Sequence, residues 1–159
     1  MNYVDLHVHS NASDGTLSPE EVVRYAASKN LKAMALTDHD TIAGIAQAKA
    51  AAAECGIELI PGIELSCFYQ GTEIHILGFF VDEHSEVLNA GLEHLVDIRV
   101  KRNEVMLQRF QEDGFQFTME DLTGGNPDTV ITRAHFARVL VDKGYAPNMG
   151  KAFDKYLQY

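Results

Sequence analysis

Asp5-Leu6-His7-Val8-His9, close to the start of the chain, governs the reading of everything after it. In a strand, side chains alternate faces, so Asp5, His7 and His9 share one side while Leu6 and Val8 share the other. That side then carries two imidazoles and a carboxylate. Neutral imidazole is the commonest side-chain ligand of transition metals, and a carboxylate behind it can fix the tautomer of the ring. Two histidines alone would decide little. Four more polar groups follow, each at the end of an apolar run: Ser13-Asp14-Gly15, Thr37-Asp38-His39-Asp40, Pro61-Gly62-Ile63-Glu64 and Glu73-Ile74-His75.

The intervening stretches supply the rhythm of an α/β protein. Residues 3 to 8 are expected to form a buried strand. Ser18 is a good N-cap, Pro19 suits the first helical position, Glu21 completes a capping box, and Leu17 with Val22 can form a hydrophobic staple, so a helix should run from there to about Asn30. Ala33 to Thr37 reads as a strand. Asp40 or Thr41 can cap a second helix that ends at Gly56, a typical residue for the position after a helix. Leu59 to Phe68 and Ile74 to Val81 are strand-like, with a turn over Tyr69 to Glu73. Strand, helix, strand, helix, strand is the order of a parallel sheet with crossover helices.

Such a sheet gathers the C-terminal ends of its strands on one rim, where active sites collect. The rim would bring together His7, His9, Asp14, His39, Glu64 and His75. Several imidazoles with two carboxylates and no thiolate suit Zn, Mn or Fe, and the donors outnumber the positions around one tetrahedral ion. A multinuclear centre is expected, with Asp5, Asp38 and Asp40 as supporting carboxylates behind the ligands.

Bulk properties narrow the function classes. With 159 residues, 46% of them hydrophobic, the chain can bury one ordinary core. A net charge of −10 argues against a protein that wraps nucleic acid or an anionic membrane with a broad basic surface. Cys55 and Cys67 read as small core residues with reduced thiols, and no apolar run is long enough to span a bilayer, so a cytoplasmic protein is expected.

The five motifs, in this order, resemble the N-terminal motifs of the PHP (polymerase and histidinol phosphatase) family. The resemblance implies a distorted (β/α)7 barrel with two or three divalent ions of Mn, Zn or Fe, and hydrolysis of phosphoesters by metal-activated hydroxide, with no catalytic side chain beyond the metal centre. Carried over by motif, His7 and His9 would hold one ion, Glu64 would bridge it to another held by His75, and Asp14 and His39 would serve a third. Non-catalytic metal-binding or structural PHP modules are the main alternative, and amidohydrolase-like C–N hydrolysis is a third reading.

From residue 86 the rhythm changes. Residues 86 to about 113 form a long helical pattern with Leu92, Leu95, Val96, Met106 and Phe110 on one stripe, and Arg99, Arg102 and Asn103 interleaved. Shorter helices are expected near 133 to 143 and 148 to 157, with Thr132 as a cap and Gly144 as a stop. The segment Thr132-Arg133-Ala134-His135 is similar to one in the RNase AM-like and nucleoside 3′,5′-bisphosphate phosphatase-like subgroup, whose helical insertion caps the barrel mouth. Arg133 and His135 would then bind a substrate phosphate, whereas Arg99, Arg102 and Arg138 read as solvated helix charges. The family's later His-Pro and Asp-x-His ligand segments have no counterpart after Asp82. Residues 1–85 are thus expected to be the first half of the barrel and 86–159 a cap region, the chain stopping before the barrel closes. An open sheet edge of this kind favours a homodimer. Substrates would be a phosphorylated small molecule, a nucleotide or short RNA, and the chain is expected to bind metal more weakly and to hydrolyse phosphoesters far more slowly than a longer parent.

Overall fold

The computed structural model describes residues 3–157. They fall into two compact units, Met1–Val96 and Asp97–Tyr159.

The first unit contains β1 (Tyr3–Val8), α1 (Pro19–Ser28), β2 (Leu31–Leu36), α2 (Ile45–Cys55), β3 (Glu58–Tyr69) and β4 (Thr72–Phe79) in one sheet of order β1-β2-β3-β4. β1, β2 and β3 are parallel, as the alternation with helices requires. β4 instead returns antiparallel to β3. The connection leaves no choice: only Gln70 and Gly71 separate the strands, both at positive φ, and a turn that short joins antiparallel neighbours. β3 changes partner at Gly62, where a Cβ would lie 2.8 Å from the Thr37 side chain and 3.0 Å from the Leu36 carbonyl oxygen.

α1 starts as expected. Ser18 Oγ accepts from the Glu21 N–H, and the Glu21 carboxylate accepts from the Ser18 N–H at 2.8 Å. Val22, Val23 and Ala26 of α1 meet Ala48, Ala51 and Ala52 of α2 over Met34 and Leu36 of β2, forming one apolar cluster. Leu17 packs against that cluster, and Gly56 ends α2 at φ 67°.

Three expectations fail for non-local reasons. β1 is not buried: it is an edge strand, with Tyr3 59% and Val4 57% exposed. Neither Asp40 nor Thr41 caps α2, which begins at Ile45, because Asp40 is held in the left-handed region at φ 52° with its carboxylate on the Ser66 N–H. Cys55 and Cys67 are free but only half-buried, so they are not core residues.

α3 (Glu86–Glu112) runs from the first unit into the second, close to its expected bounds. The second unit adds α4 (Met119–Thr123), which the sequence pattern did not single out, α5 (Arg133–Asp142) and α6 (Met149–Tyr156). Its core is aromatic: Phe110, Phe117 and Phe136 with Leu122, Leu140 and Leu157, the Phe110 and Phe136 rings stacked at 5.8 Å between centroids. Thr132 caps α5, and Gly144 follows it at φ 76°. Arg99 is 6% exposed, so it is not a solvated helix charge, and Asn103, one turn later, is buried with its amide on the Ile131 carbonyl. Among the described residues no helix is long and apolar enough to cross a membrane.

Candidate metal centre

All six expected ligands lie in the first unit, and they meet. His7 comes from β1 and His9 from just beyond it, His39 follows β2, Glu64 belongs to β3 and His75 to β4, while Asp14 sits on the loop after β1. Glu64 is the hub. Its Oε2 lies 2.7 Å from His7 Nε2, 3.0 Å from His9 Nε2 and 3.8 Å from His39 Nε2, and its Oε1 lies 2.9 Å from His75 Nδ1. Asp14 makes a second junction, 3.2 Å from His9 Nδ1 and 3.5 Å from His39 Nε2. Successive rings from His7 through His9 and His39 to His75 are 4.8 to 5.0 Å apart.

The backbone around Glu64 explains why it is central. Its N–H donates to the Asp38 carbonyl at 3.1 Å, and its carbonyl accepts from the Asp40 N–H at 3.0 Å, so His39 is stitched beside it. Asp38 is buried and takes three hydrogen bonds of 2.7 Å, from the Ser10 N–H, the Ser10 hydroxyl and the Ser13 hydroxyl. That clamp shapes the loop carrying Asp14. Gly15 closes it, in a position where a Cβ would lie 2.5 Å from the His9 carbonyl oxygen. Asp5 takes no imidazole; its carboxylate accepts the His7 backbone N–H at 3.2 Å.

Glu73 was not among the expected site residues. Its carboxylate lies 3.3 Å from His75 Nε2, so His75 stands between two carboxylates. The signal was available in the spacing: Glu73 and His75 are two apart on one strand, like Asp5 and His7. Ser10 and Ser13 carried no comparable signal, since their role depends on Asp38 arriving from another strand.

The charges in the cluster fit cations. A neutral imidazole offers one N–H and one lone pair, yet His9 and His75 each face a carboxylate at both ring nitrogens. Positive charge must enter, as protons or as ions. Burial alone would raise Asp14, but hydrogen bonds from His39 and His9 outweigh it and hold the carboxyl well below its usual range. Burial would likewise raise Glu64; the His7 hydrogen bond, the nearby His39 and the His75 hydrogen bond bring it down instead. His9 is raised, because the Asp14 hydrogen bond and the charges of Asp14, Glu64 and Asp38 overcome the opposing effect of burial.

Three donor groups result: His7, His9 and Glu64; His9, Asp14 and His39; and His39, Glu64 and His75, each with ligand atoms within 4.8 Å of one another. An ion with bonds of about 2.1 Å separates tetrahedral ligand atoms by about 3.4 Å, and the closest nitrogen–oxygen spacings here, 2.7 to 3.8 Å, bracket that value. Nδ1 of His39 is buried without a hydrogen-bond partner, a further sign that the imidazole set is not satisfied by protein groups alone. Among the described residues, neither cysteine nor His84 nor His94 joins a group. In the second unit, Arg133 occupies the first turn of α5, half-buried, and His135 is buried with Nδ1 accepting the Thr132 N–H at 3.0 Å.

Imidazoles and shared carboxylates at the strand ends of an α/β sheet mark a metal-binding α/β protein. The PHP domain model matches residues 5–156, and the chain belongs to that family. It is 43% identical over 153 residues to a 5′-3′ exoribonuclease of Haemophilus influenzae, covering 96% of this chain and 56% of the relative. It is 39% identical to a 3′,5′-nucleoside bisphosphate phosphatase of Chromobacterium violaceum, covering 99% of this chain and 55% of that one. Among solved structures, a Chromobacterium violaceum protein described as an amidohydrolase, with sulfate bound, superposes with a TM-score of 0.92 at 38% identity, over 97% of this chain and 55% of that chain. The chain thus spans about half the length of the curated relatives it matches.

Proposed function

We propose that the chain forms the metal-holding part of a PHP-type phosphoesterase acting on phosphate esters of nucleotides or short RNA. The observation that carries this reading is the overlap of three donor groups on Glu64, His9 and His39. Shared ligands hold neighbouring ions close, which is how two-metal hydrolases grip a phosphoryl group. His7, His9, Asp14, His39, Glu64 and His75 are the proposed ligands of two or three divalent ions, Mn, Zn or Fe. When bound, such ions supply water activation and neutralise charge on phosphate oxygens. The chain's own part is to fix the donors: Glu64 through its paired backbone, and Asp14 through the Asp38 clamp.

In this reading, residues 1–85 are the first part of a (β/α)7 barrel, residues 86–159 a helical insertion or cap region, and the protein a cytoplasmic one able to form a homodimer through its exposed sheet edge. Arg133 and His135 would bind a phosphate. A neutral His135 that accepts at Nδ1 carries its proton on Nε2, the polarity an oxyanion requires. Amide hydrolysis is the second reading, favoured by the description of the structural neighbour; the sulfate in that structure is a tetrahedral oxyanion, as a phosphate ester is.

The test measures Mn²⁺ binding together with hydrolysis of nucleoside bisphosphates, short RNA, p-nitrophenyl phosphate and amide substrates. His9→Ala and Glu64→Ala should each weaken metal binding by about 10–100-fold or more. His94→Ala should not. Arg133→Ala should raise KM for phosphorylated substrates with metal content unchanged. Phosphate release that survives Glu64→Ala, or cleavage confined to amides, would overturn the reading.

A further inference from the structure

β3 and β4 pair without a bulge from Gly62 opposite Phe79 to Tyr69 opposite Thr72. Directly opposed residues share a face, and faces alternate along each strand. The face that carries Glu64 and His75 therefore also carries Ser66, Glu73 and Phe68, the last opposite Glu73 near the turn. Contact between Glu73 and His75 confirms that side of the hairpin as the site's side. Cys67 and Ile74 belong to the reverse face.

Phe68 is 76% exposed. A large aromatic ring left in water on the same face as a polar cluster is the feature of this site that metal binding does not use. It lies two residues beyond Ser66, which faces His75, and four beyond Glu64, about 7 and 13 Å along the strand. The step from the level of His75 to Phe68, about 7 Å, matches the reach of one nucleotide from phosphate to base, with phosphate at the cluster and base at Phe68. The neighbouring charge discriminates between occupants: the Glu73 carboxylate opposite Phe68 repels a second phosphate but not an uncharged base. Stacking on an aromatic ring accepts any base, because every base has a π-face.

We propose that Phe68 is the stacking platform for the nucleobase, so that the site selects phosphate esters carrying a base over those that end at the sugar. This rests on the phosphoesterase reading and narrows its substrate class.

Adenosine 5′-monophosphate and ribose 5-phosphate are matched probes, differing by the adenine alone. Their affinities are measured by titration calorimetry on the full chain with Mn²⁺, for the unaltered protein, Phe68→Ala and Phe68→Tyr. The unaltered chain should bind the adenosine compound more tightly. Phe68→Ala should weaken it by about 5- to 150-fold, the range that stacking one base supplies, and leave ribose 5-phosphate and Mn²⁺ stoichiometry unchanged. Phe68→Tyr should keep the preference. Equal loss of both ligands in Phe68→Ala, or no loss of either, overturns the platform. Ribose 5-phosphate binding with no gain from adenine sinks the platform alone, whereas failure of both probes to bind the unaltered chain sinks the phosphoesterase reading and the platform with it.

Discussion

The two units bury polar groups on different terms. In the first, Ser10, Ser13, Thr37, Asp38, His39 and Asp40 are buried just beyond β1 and β2 and Glu64 within β3, in a network where several groups answer to one carboxylate. In the second, three phenylalanines and three leucines make the core, while the buried Arg99 and Asn103 lie on α3 and the buried Thr132 and His135 close the end of one helix. The lesson is one of cost. An aromatic core is stabilising in any protonation state, whereas a network of imidazoles and carboxylates is stable only when its charge is matched. The first unit is therefore built around its chemistry and the second around its packing.

The sharpest way to break this comparison is Phe136→Ala. Removing a fully buried aromatic ring should cost about 3–5 kcal/mol, read by denaturant unfolding with hydrogen exchange followed separately in residues 3–96 and 97–157. Mn²⁺ affinity of the first unit should be untouched. A matching loss of metal would show that the two units do not stand apart energetically.

Asp38→Ala tests the other side. It leaves the Ser10 N–H and two buried hydroxyls without their acceptor, at a cost of about 3 kcal/mol. Metal affinity should fall as well, because the loop bearing Asp14 loses its anchor. Asp38→Asn, which keeps the shape and part of the acceptor capacity, should fall between. If Asp38→Ala destabilises the chain but binds Mn²⁺ normally, the clamp serves folding and not the site.

The smallest effect is in the pH dependence of the metal-free chain. Asp14 and Glu64 are depressed, so their contribution is present above their ordinary values of 3.8 and 4.5 and is lost as pH falls through the folded values. His9 is raised from 6.5, so its contribution is complete below 6.5 and is lost as pH climbs through the raised value. The first unit should be most stable between about pH 4.5 and 6.5, and bound Mn²⁺ should carry that stability to higher pH by replacing the proton on His9. In the second unit, Asp121 is depressed by Lys143 and by the Thr118 N–H, so its contribution is lost on the acid side. Hydrogen exchange at pH 5, 6 and 8 distinguishes the two; a first unit equally protected at pH 5 and 8 without metal would contradict the charge argument.

Much of the site was legible because its donors sit in local patterns. Alternation put His7 and His9 on one side, and placing Asp14 and His39 after strands needed only the order of elements, whereas Glu64 lies within β3. Glu73 was overlooked although its two-residue spacing from His75 already puts both on one face of β4. Asp40 was mistaken for a helix cap because its real partner, the Ser66 N–H, lies on another strand. Arg99 looked solvated for the same reason: periodicity assigns a residue to a helix, but what covers that residue comes from elsewhere in the chain.

By itself, then, the sequence determined what short-range physics controls: the capping box at Ser18, the cap at Thr132, the glycine after α2, the period of each element and the donor types in and after the strands. Tertiary structure alone decided that β1 is an exposed edge, and that one carboxylate, Glu64, meets four imidazoles. The division has a physical cause. Caps and periods are set within a few residues by backbone hydrogen bonds and side-chain alternation. Convergence of His7, His39 and His75 on Glu64 depends on strand register across more than fifty residues of chain, which no local preference encodes.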